Sequence, residues 1–232
     1  MKRIHDVWLL SLLMGGWTAA VQAADPSDGV FDLERLDVRI TESLSHLTVE
    51  HAGESVLLMR HQDPGHTIQP PYGLTSRACP PFCIQPMQLA PGVETIGELE
   101  LIGFLRRAGD GDQGVLVIDS RSAEEVARGT IPGSVNIPYS SLDPAYASAE
   151  QIAELLQLEF GAARGDGIWN FDGVKTLVFF CNGPWCGQSP TNIKALTGMG
   201  YPAHRLKWYR GGLQAWESLG LTTVRAGANA AQ

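Results

Sequence analysis

Two rhythms of apolar residues alternate along the second half of the chain. Between residues 93 and 222, short continuous apolar runs are separated by segments whose apolar positions recur every three or four residues. The runs are "GVLVIDS" and "TLVFF", with "RLKWY" as a third. A continuous run of this length predicts a strand covered on both faces. The periodic segments predict helices. In "TIGELELIGFLRRAG", Ile96, Leu99, Ile102 and Leu105 recur at helical intervals. Thr95 and Glu98 stand there in capping-box spacing, and Gly109 closes the segment. "SAEEVARG" and "SAEQIAELLQLEFG" open on the same signature, Ser122 with Glu125 and Ser148 with Gln151. "SPTNIKALTGMG" offers Ser189 as N-cap and Pro190 at the first helical position, and "GLQAWESLG" gives a last helix. Strands separated by helices predict an α/β fold, a parallel sheet with helices on both faces.

The first half has neither rhythm. Residues 24–92 are irregular and rich in proline between Pro64 and Pro91. One hairpin stands out in "LTVEHAGESVLL". Leu47 and Val49 alternate with polar residues, "HAGE" makes the turn, and Val56 and Leu58 continue on the return strand. These residues are expected to form a small β-rich N-terminal extension, followed by a long loop carrying "CPPFCIQPM". Residues 223–232 are expected to be a flexible tail. Residues 1–23 read differently. Lys2 and Arg3 precede an apolar run from Val7 to about Val21, and "VQA" ends at Ala23. That is the pattern of a cleaved secretory signal peptide, and the run is too short and glycine-broken to span a membrane comfortably. The mature chain is expected to be periplasmic and to carry no membrane span.

Charge and cysteine content narrow the chemistry. A formal net charge of −8 without a basic cluster argues against a nucleic-acid partner. The four cysteines form two close pairs, Cys79/Cys83 and Cys181/Cys186. In an oxidising compartment such pairs can form disulfides. Cys181 directly follows "TLVFF", and ligands of open α/β sheets bind beyond the carboxyl ends of the strands. Asn182, Gly183, Trp185, Gly187, Gln188 and Ser189 would then form a substrate-binding loop between strand and helix. Amides of such a loop and the helix dipole stabilise a thiolate and hold anions. Cys181 is therefore the candidate nucleophile. A buried apolar cysteine at a strand end is the competing reading.

Three ordered segments resemble the rhodanese superfamily. "VLVIDSRSAEEVARGTIPGSVNIPY" (115–139) matches its domain-opening stretch, and "YRGGLQAW" (209–216) the stretch after its last strand. Cys181 lies between them, where the family places its catalytic cysteine, and "MGY" at 199–201 also fits. The resemblance covers about residues 93–222 and implies a rhodanese-like parallel sheet. It implies a sulfurtransferase that carries sulfane sulfur as a Cys181 persulfide. The donor would be a small sulfur anion such as thiosulfate, or a polysulfide, and the acceptor a thiol. Asp119 and Arg121 match the family's Asp-x-Arg and are expected to brace the site.

Several features depart from the family pattern. With Ser189 as cap, the loop is about two residues longer than usual. It holds no Arg or Lys, and Pro184 removes one amide. Arg210 or Lys207 would have to supply a cation. Cys186 is the larger departure. As a resolving thiol it would collapse the persulfide into a Cys181–Cys186 disulfide, and a periplasmic thiol reductant would then be a partner. A structural cysteine is the alternative. "WCGQS" mimics a thioredoxin-type motif, but Ser189 replaces its second cysteine.

The "CPPFC" loop stays open among three readings: a local disulfide between Cys79 and Cys83, a redox partner for the Cys181/Cys186 loop, or a soft-metal site. The last would hold Cu(I) with Met87 or one of His46, His51, His61 and His66. No other cofactor is expected beyond the covalent persulfide. Two function classes compete with the sulfurtransferase. One is a thiol–disulfide or sulfur-relay partner using Cys181/Cys186. The other is a copper-binding accessory protein on a rhodanese scaffold.

Overall fold

The computed structural model describes residues 37–225. The expected signal peptide and the last seven residues of the expected tail lie outside them. The described residues belong to one compact unit. No helix among them is long and apolar enough to cross a membrane.

The α/β expectation holds. Strands β3 (Glu94–Ile96), β4 (Val115–Asp119), β5 (Val135–Asn136), β8 (Thr176–Phe180) and β9 (Leu206–Tyr209) form one sheet in the order β3-β9-β8-β4-β5. Every pairing in it is parallel. The central strand β8 is buried at all five positions, which explains its unbroken apolar run. Its side chains alternate between two cores. Val178 and Phe180 join Val117, Leu101, Leu105, Leu213 and Trp216 on one face. Leu177 and Phe179 join Ile118, Leu156, Ile193, Leu196 and Trp208 on the other. Helices α1 (Glu98–Gly109) and α5 (Gly212–Ser218) cover the first face; α3 (Ala149–Glu154) and α4 (Gln188–Gly198) cover the second.

The hairpin forms as β1 (His46–His51) and β2 (Glu54–Met59), with Leu47 opposite Leu58 and Val49 opposite Val56. Both turn residues, Ala52 and Gly53, have positive φ (52° and 82°), as a two-residue type I′ hairpin requires. The extension is continuous with the domain, because Val49, Val56 and Leu58 lie in the same core as Leu101, Leu105 and Trp216. A second hairpin, β6 (Ala163–Gly165) and β7 (Ile168–Asn170), turns at Asp166-Gly167.

Three local expectations change. Thr95 lies in β3 and gives its hydroxyl to the Met87 carbonyl, so it does not cap α1. Gly97 takes that place, its amide bonded to Glu100 at 3.0 Å. This shifts the helical face: Leu101, Ile102 and Leu105 are buried, whereas Leu99 is 54% exposed. The third change is at the other end. Val224 is 6% exposed and exchanges backbone bonds with Thr130, so residues 223 and 224 belong to the domain and not to a loose tail. The short helix α2 (Ala123–Val126) does begin at the predicted Ser122/Glu125 box.

Candidate active site

Parallel register assembles the site. Asp119 pairs with Phe180, and Phe180 with Tyr209, so the residues after three neighbouring strands emerge at one sheet edge. Cys181 and Asn182 are in the middle. On one side α5 closes down on them: the Leu213 amide donates to the Cys181 carbonyl and the Gln214 amide to the Asn182 carbonyl, both at 2.9 Å. This approach explains the glycine pair Gly211–Gly212. Gly212 has φ of +55°, and a Cβ there would collide with the Cys181 carbonyl oxygen and lie 2.7 Å from the Gly183 nitrogen.

The loop itself runs from Asn182 to Gly187, because α4 begins at Gln188 with Gly187 as its N-cap. Ser189 is therefore inside the helix. Its buried hydroxyl bonds to that of Ser120 at 3.1 Å, and the expected Ser189 cap and two-residue excess of loop are absorbed into the first helical turn. Cys181 and Cys186 are joined as a disulfide with Cα atoms 6.4 Å apart, and both are buried. The Cys186 amide donates to the Gly183 carbonyl at 2.9 Å. Among the described residues, the amides of Asn182, Gly183, Trp185, Gly187, Gln188 and Ser189 meet no protein acceptor.

Glu125 holds this loop from α2. Its two oxygens accept from Asn182 Nδ2 at 2.7 Å and Gln188 Nε2 at 2.9 Å. Gln188 Oε1 in turn lies 3.3 Å from Cys186 Sγ. Burial alone would raise the Glu125 pKa, but the bonds from Gln188, Asn182 and Ser122 outweigh it and hold the carboxyl below its ordinary value. A depressed folded-state pKa contributes stability that is present above the unfolded value, here about 4.5, and is lost as pH falls through the folded value. Acid titration below about pH 4.5 should thus loosen the loop, read as faster reduction of the Cys181–Cys186 disulfide by a phosphine. In Glu125→Gln that pH step should disappear; an unchanged step would show that another group controls the loop.

Asp119 and Arg121 form a buried pair, Arg121 Nη2 to Asp119 Oδ2 at 2.6 Å. The remaining guanidinium donors reach the Gly129 carbonyl (2.6 Å), the Tyr72 hydroxyl (2.7 Å) and Asn182 Oδ1 (3.5 Å). Burial opposes the Arg121 charge, yet the bond and charge of Asp119 raise its pKa further. Burial pushes the Tyr72 phenol up to about 12, so it stays a neutral donor to Asn182 Oδ1. The pair thus reaches the loop at Asn182, whose Nδ2 donates onward to Glu125.

The extension lies over the other side of the loop. Arg77 stacks 3.7 Å above the Trp185 ring, and Phe82 meets that ring edge-on. The Gln85 amide donates to the Pro184 carbonyl at 2.8 Å. Arg210 donates to the Gln85 carbonyl at 2.8 and 3.2 Å and, among the described residues, to no residue of the loop. Lys207 pairs with Glu94 at 2.6 Å. Two cations do touch the loop: Arg121 at Asn182, and Arg77, a residue with no motif or periodicity to mark it, at Trp185. Cys79 and Cys83 are joined to each other, with Cα atoms 4.6 Å apart, and offer no thiolate in this form. Met87 is exposed, and no group of three His, Cys, Asp or Glu residues placed to hold a metal occurs among the described residues.

The rhodanese-like domain family matches residues 104–219, the stretch that holds four of the five sheet strands and the loop between β8 and α4. The chain belongs to that family. A curated relative, an HTH-type transcriptional regulator of Mycobacterium tuberculosis, is 29% identical over 118 residues, 51% of this chain and 40% of its own length. This chain therefore spans well under two thirds of that regulator. Among solved structures, a human single-domain sulfurtransferase is 25% identical, with a TM-score of 0.36, over 53% of this chain and 95% of its own. A Rhodopseudomonas palustris protein described as a possible tyrosine phosphatase is 26% identical, with a TM-score of 0.35, over 53% and 79%.

Proposed function

We propose that this protein is a sulfurtransferase in which Cys181 carries the sulfur. The observation behind the reading is Cys181 at the carboxyl end of β8, beside a loop in which the amides of Asn182, Gly183, Trp185 and Gly187 meet no protein acceptor among the described residues. The oxidised pair first takes two electrons and two protons from an external dithiol, such as a periplasmic thiol reductant, freeing Cys181. The Cys181 thiolate then attacks the outer sulfur of a donor such as thiosulfate. A new S–S bond forms on Cys181, the donor's S–S bond breaks, and sulfite leaves with the electron pair. The unengaged amides hold both the anionic donor and the persulfide. An acceptor thiolate attacks the outer sulfur, leaves as a persulfide and restores the Cys181 thiolate.

A second route rests on the bonded pair itself. Cys186 thiolate attacks the inner sulfur of the Cys181 persulfide, hydrosulfide leaves, and the disulfide returns. A reductant is then consumed at every turnover.

The test is intact-protein mass spectrometry after reduction and loading with thiosulfate or a polysulfide, followed by cyanide. The parent should gain one sulfur atom and release thiocyanate, and Cys181→Ala should do neither. Thiocyanate at parental yield from Cys181→Ala would sink the reading. In Cys186→Ser the persulfide should outlast that of the parent; an equal lifetime removes the second route.

A further inference from the structure

A cavity of about 1050 Å³ lies beside the thiol loop, between residues 59–82 of the extension and residues 121–129, 182–185 and 217–225. Neither Cys181 nor Cys186 lines it; Glu125, Asn182 and Trp185 form the wall on that side. Its charge is unlike that of the rest of the protein. The chain has 17 Lys and Arg residues against 25 Asp and Glu, yet five arginines line this one cavity.

Only Arg121 among those five has a carboxylate partner at ion-pair distance among the described residues. Arg60 donates to the carbonyls of Leu219 and Arg39, and Arg77 to that of Pro71. Arg77 Nε is buried and has no acceptor. No side-chain hydrogen bond of Arg128 or Arg225 is formed within the described residues. Three acids share the wall with the five arginines: Asp63, Glu125 and Glu217. Glu125 is engaged by Asn182, Gln188 and Ser122, and Asp63 by the Gly65 amide. Glu217 is partly buried, which raises its pKa, while a backbone bond from Gln69 and the charges of Arg225 and Arg121 oppose that rise. Guanidinium groups present paired N–H donors that match carboxylates or sulfonates, and Tyr72, Phe82 and Trp185 in the wall add aromatic surface for a flat apolar body.

We propose that this cavity binds an organic anion with a flat apolar body and two or more acidic groups. A volume near 1050 Å³ suits a ligand of that size and far exceeds a small inorganic sulfur anion. The site goes beyond sulfur transfer and does not depend on it. It shares Asn182 and Trp185 with the thiol loop, so an occupant touches the wall behind which the sulfurs react.

Isothermal titration of the full chain with naphthalene-2,6-dicarboxylate tests this. Saturable one-to-one binding is expected, with sodium sulfate and the uncharged 2-naphthol each binding at least about tenfold more weakly. Arg77→Gln and Arg128→Gln should each weaken the dicarboxylate by about tenfold or more. Arg128 is exposed and is the safer variant should Arg77→Gln disturb folding, which thermal unfolding would reveal. Cys181→Ala should bind as the parent does. Absence of saturable binding, equal affinity for sulfate, or parental affinity in Arg128→Gln overturns the proposal. So does loss of binding in a folded Cys181→Ala, which would place the anion at the thiol loop. A failed persulfide assay leaves this titration unaffected, so the two readings fail separately.

Discussion

Asp119→Ala should destabilise the folded chain by about 3–5 kcal/mol. The Asp119 and Arg121 side chains are each 1% exposed, and among the described residues Asp119 is the single ion-pair partner of that guanidinium. Removing the carboxylate leaves a buried positive charge facing a backbone carbonyl, a phenol and an amide, which cannot neutralise it. It also strips the Thr130 hydroxyl (2.7 Å) and the Arg121 amide (3.0 Å) of their acceptor. Urea unfolding would measure the loss. The double variant Asp119→Ala/Arg121→Met should recover part of it, because no lone charge is then buried. A loss below about 1 kcal/mol would mean that water reaches Arg121 and that the pair is not the brace described.

Gly212→Ala should damage the thiol loop at least as severely. The left-handed backbone at φ +55° costs an alanine about 1 kcal/mol by itself. The added Cβ then meets backbone atoms of Cys181, Asn182 and Gly183, which cannot rotate away as a side chain would. To relieve the overlap, α5 must withdraw from the loop and break the bonds from the Leu213 and Gln214 amides. We expect a loss of about 3 kcal/mol or more, together with slower closure of the Cys181–Cys186 disulfide. Gly187→Ala is the control. A Cβ there meets nothing within 4 Å, and its stability should match the parent within about 0.5 kcal/mol. Equal stabilities of the two variants would refute the close-approach argument.

The sheet was legible because its central strands are covered on both faces. Val115–Asp119 and Thr176–Phe180 therefore stand out as unbroken apolar runs, and the position of Cys181 follows from the second of them. The serine caps of α2 and α3 were legible for the same kind of reason, since a capping box is local. Ser189 misled because the same hydroxyl serves two purposes. Gly187 begins the helix without a side-chain bond, and Ser189 is taken by Ser120, which follows β4 and lies 69 residues away. Leu99 misled because a leucine at helical spacing looks alike on either face until the neighbouring strands exist. The Asp166-Gly167 hairpin had a readable turn signal that went unused. Tyr72 and Arg77 had none. They come from a segment without periodicity, and their partners Arg121 and Trp185 lie 49 and 108 positions further on.

The seam between β2 and the last described residues has a consequence for how the chain acquires its shape. The Thr222 hydroxyl has the Leu57 and Met59 carbonyls within donating reach, at 3.2 and 3.0 Å, and the His61 amide donates to the Gly220 carbonyl at 2.6 Å, spanning up to 165 positions. Contacts of such long range are entropically late to close. During synthesis from the amino terminus, the hairpin waits for almost all of the chain before this seam can form. A nascent chain halted near residue 215 has every strand of the sheet and both cysteines of the thiol loop, yet lacks one wall of the arginine-lined cavity. The cysteine-bearing strand edge is thus synthesised before the last wall of the arginine-lined cavity.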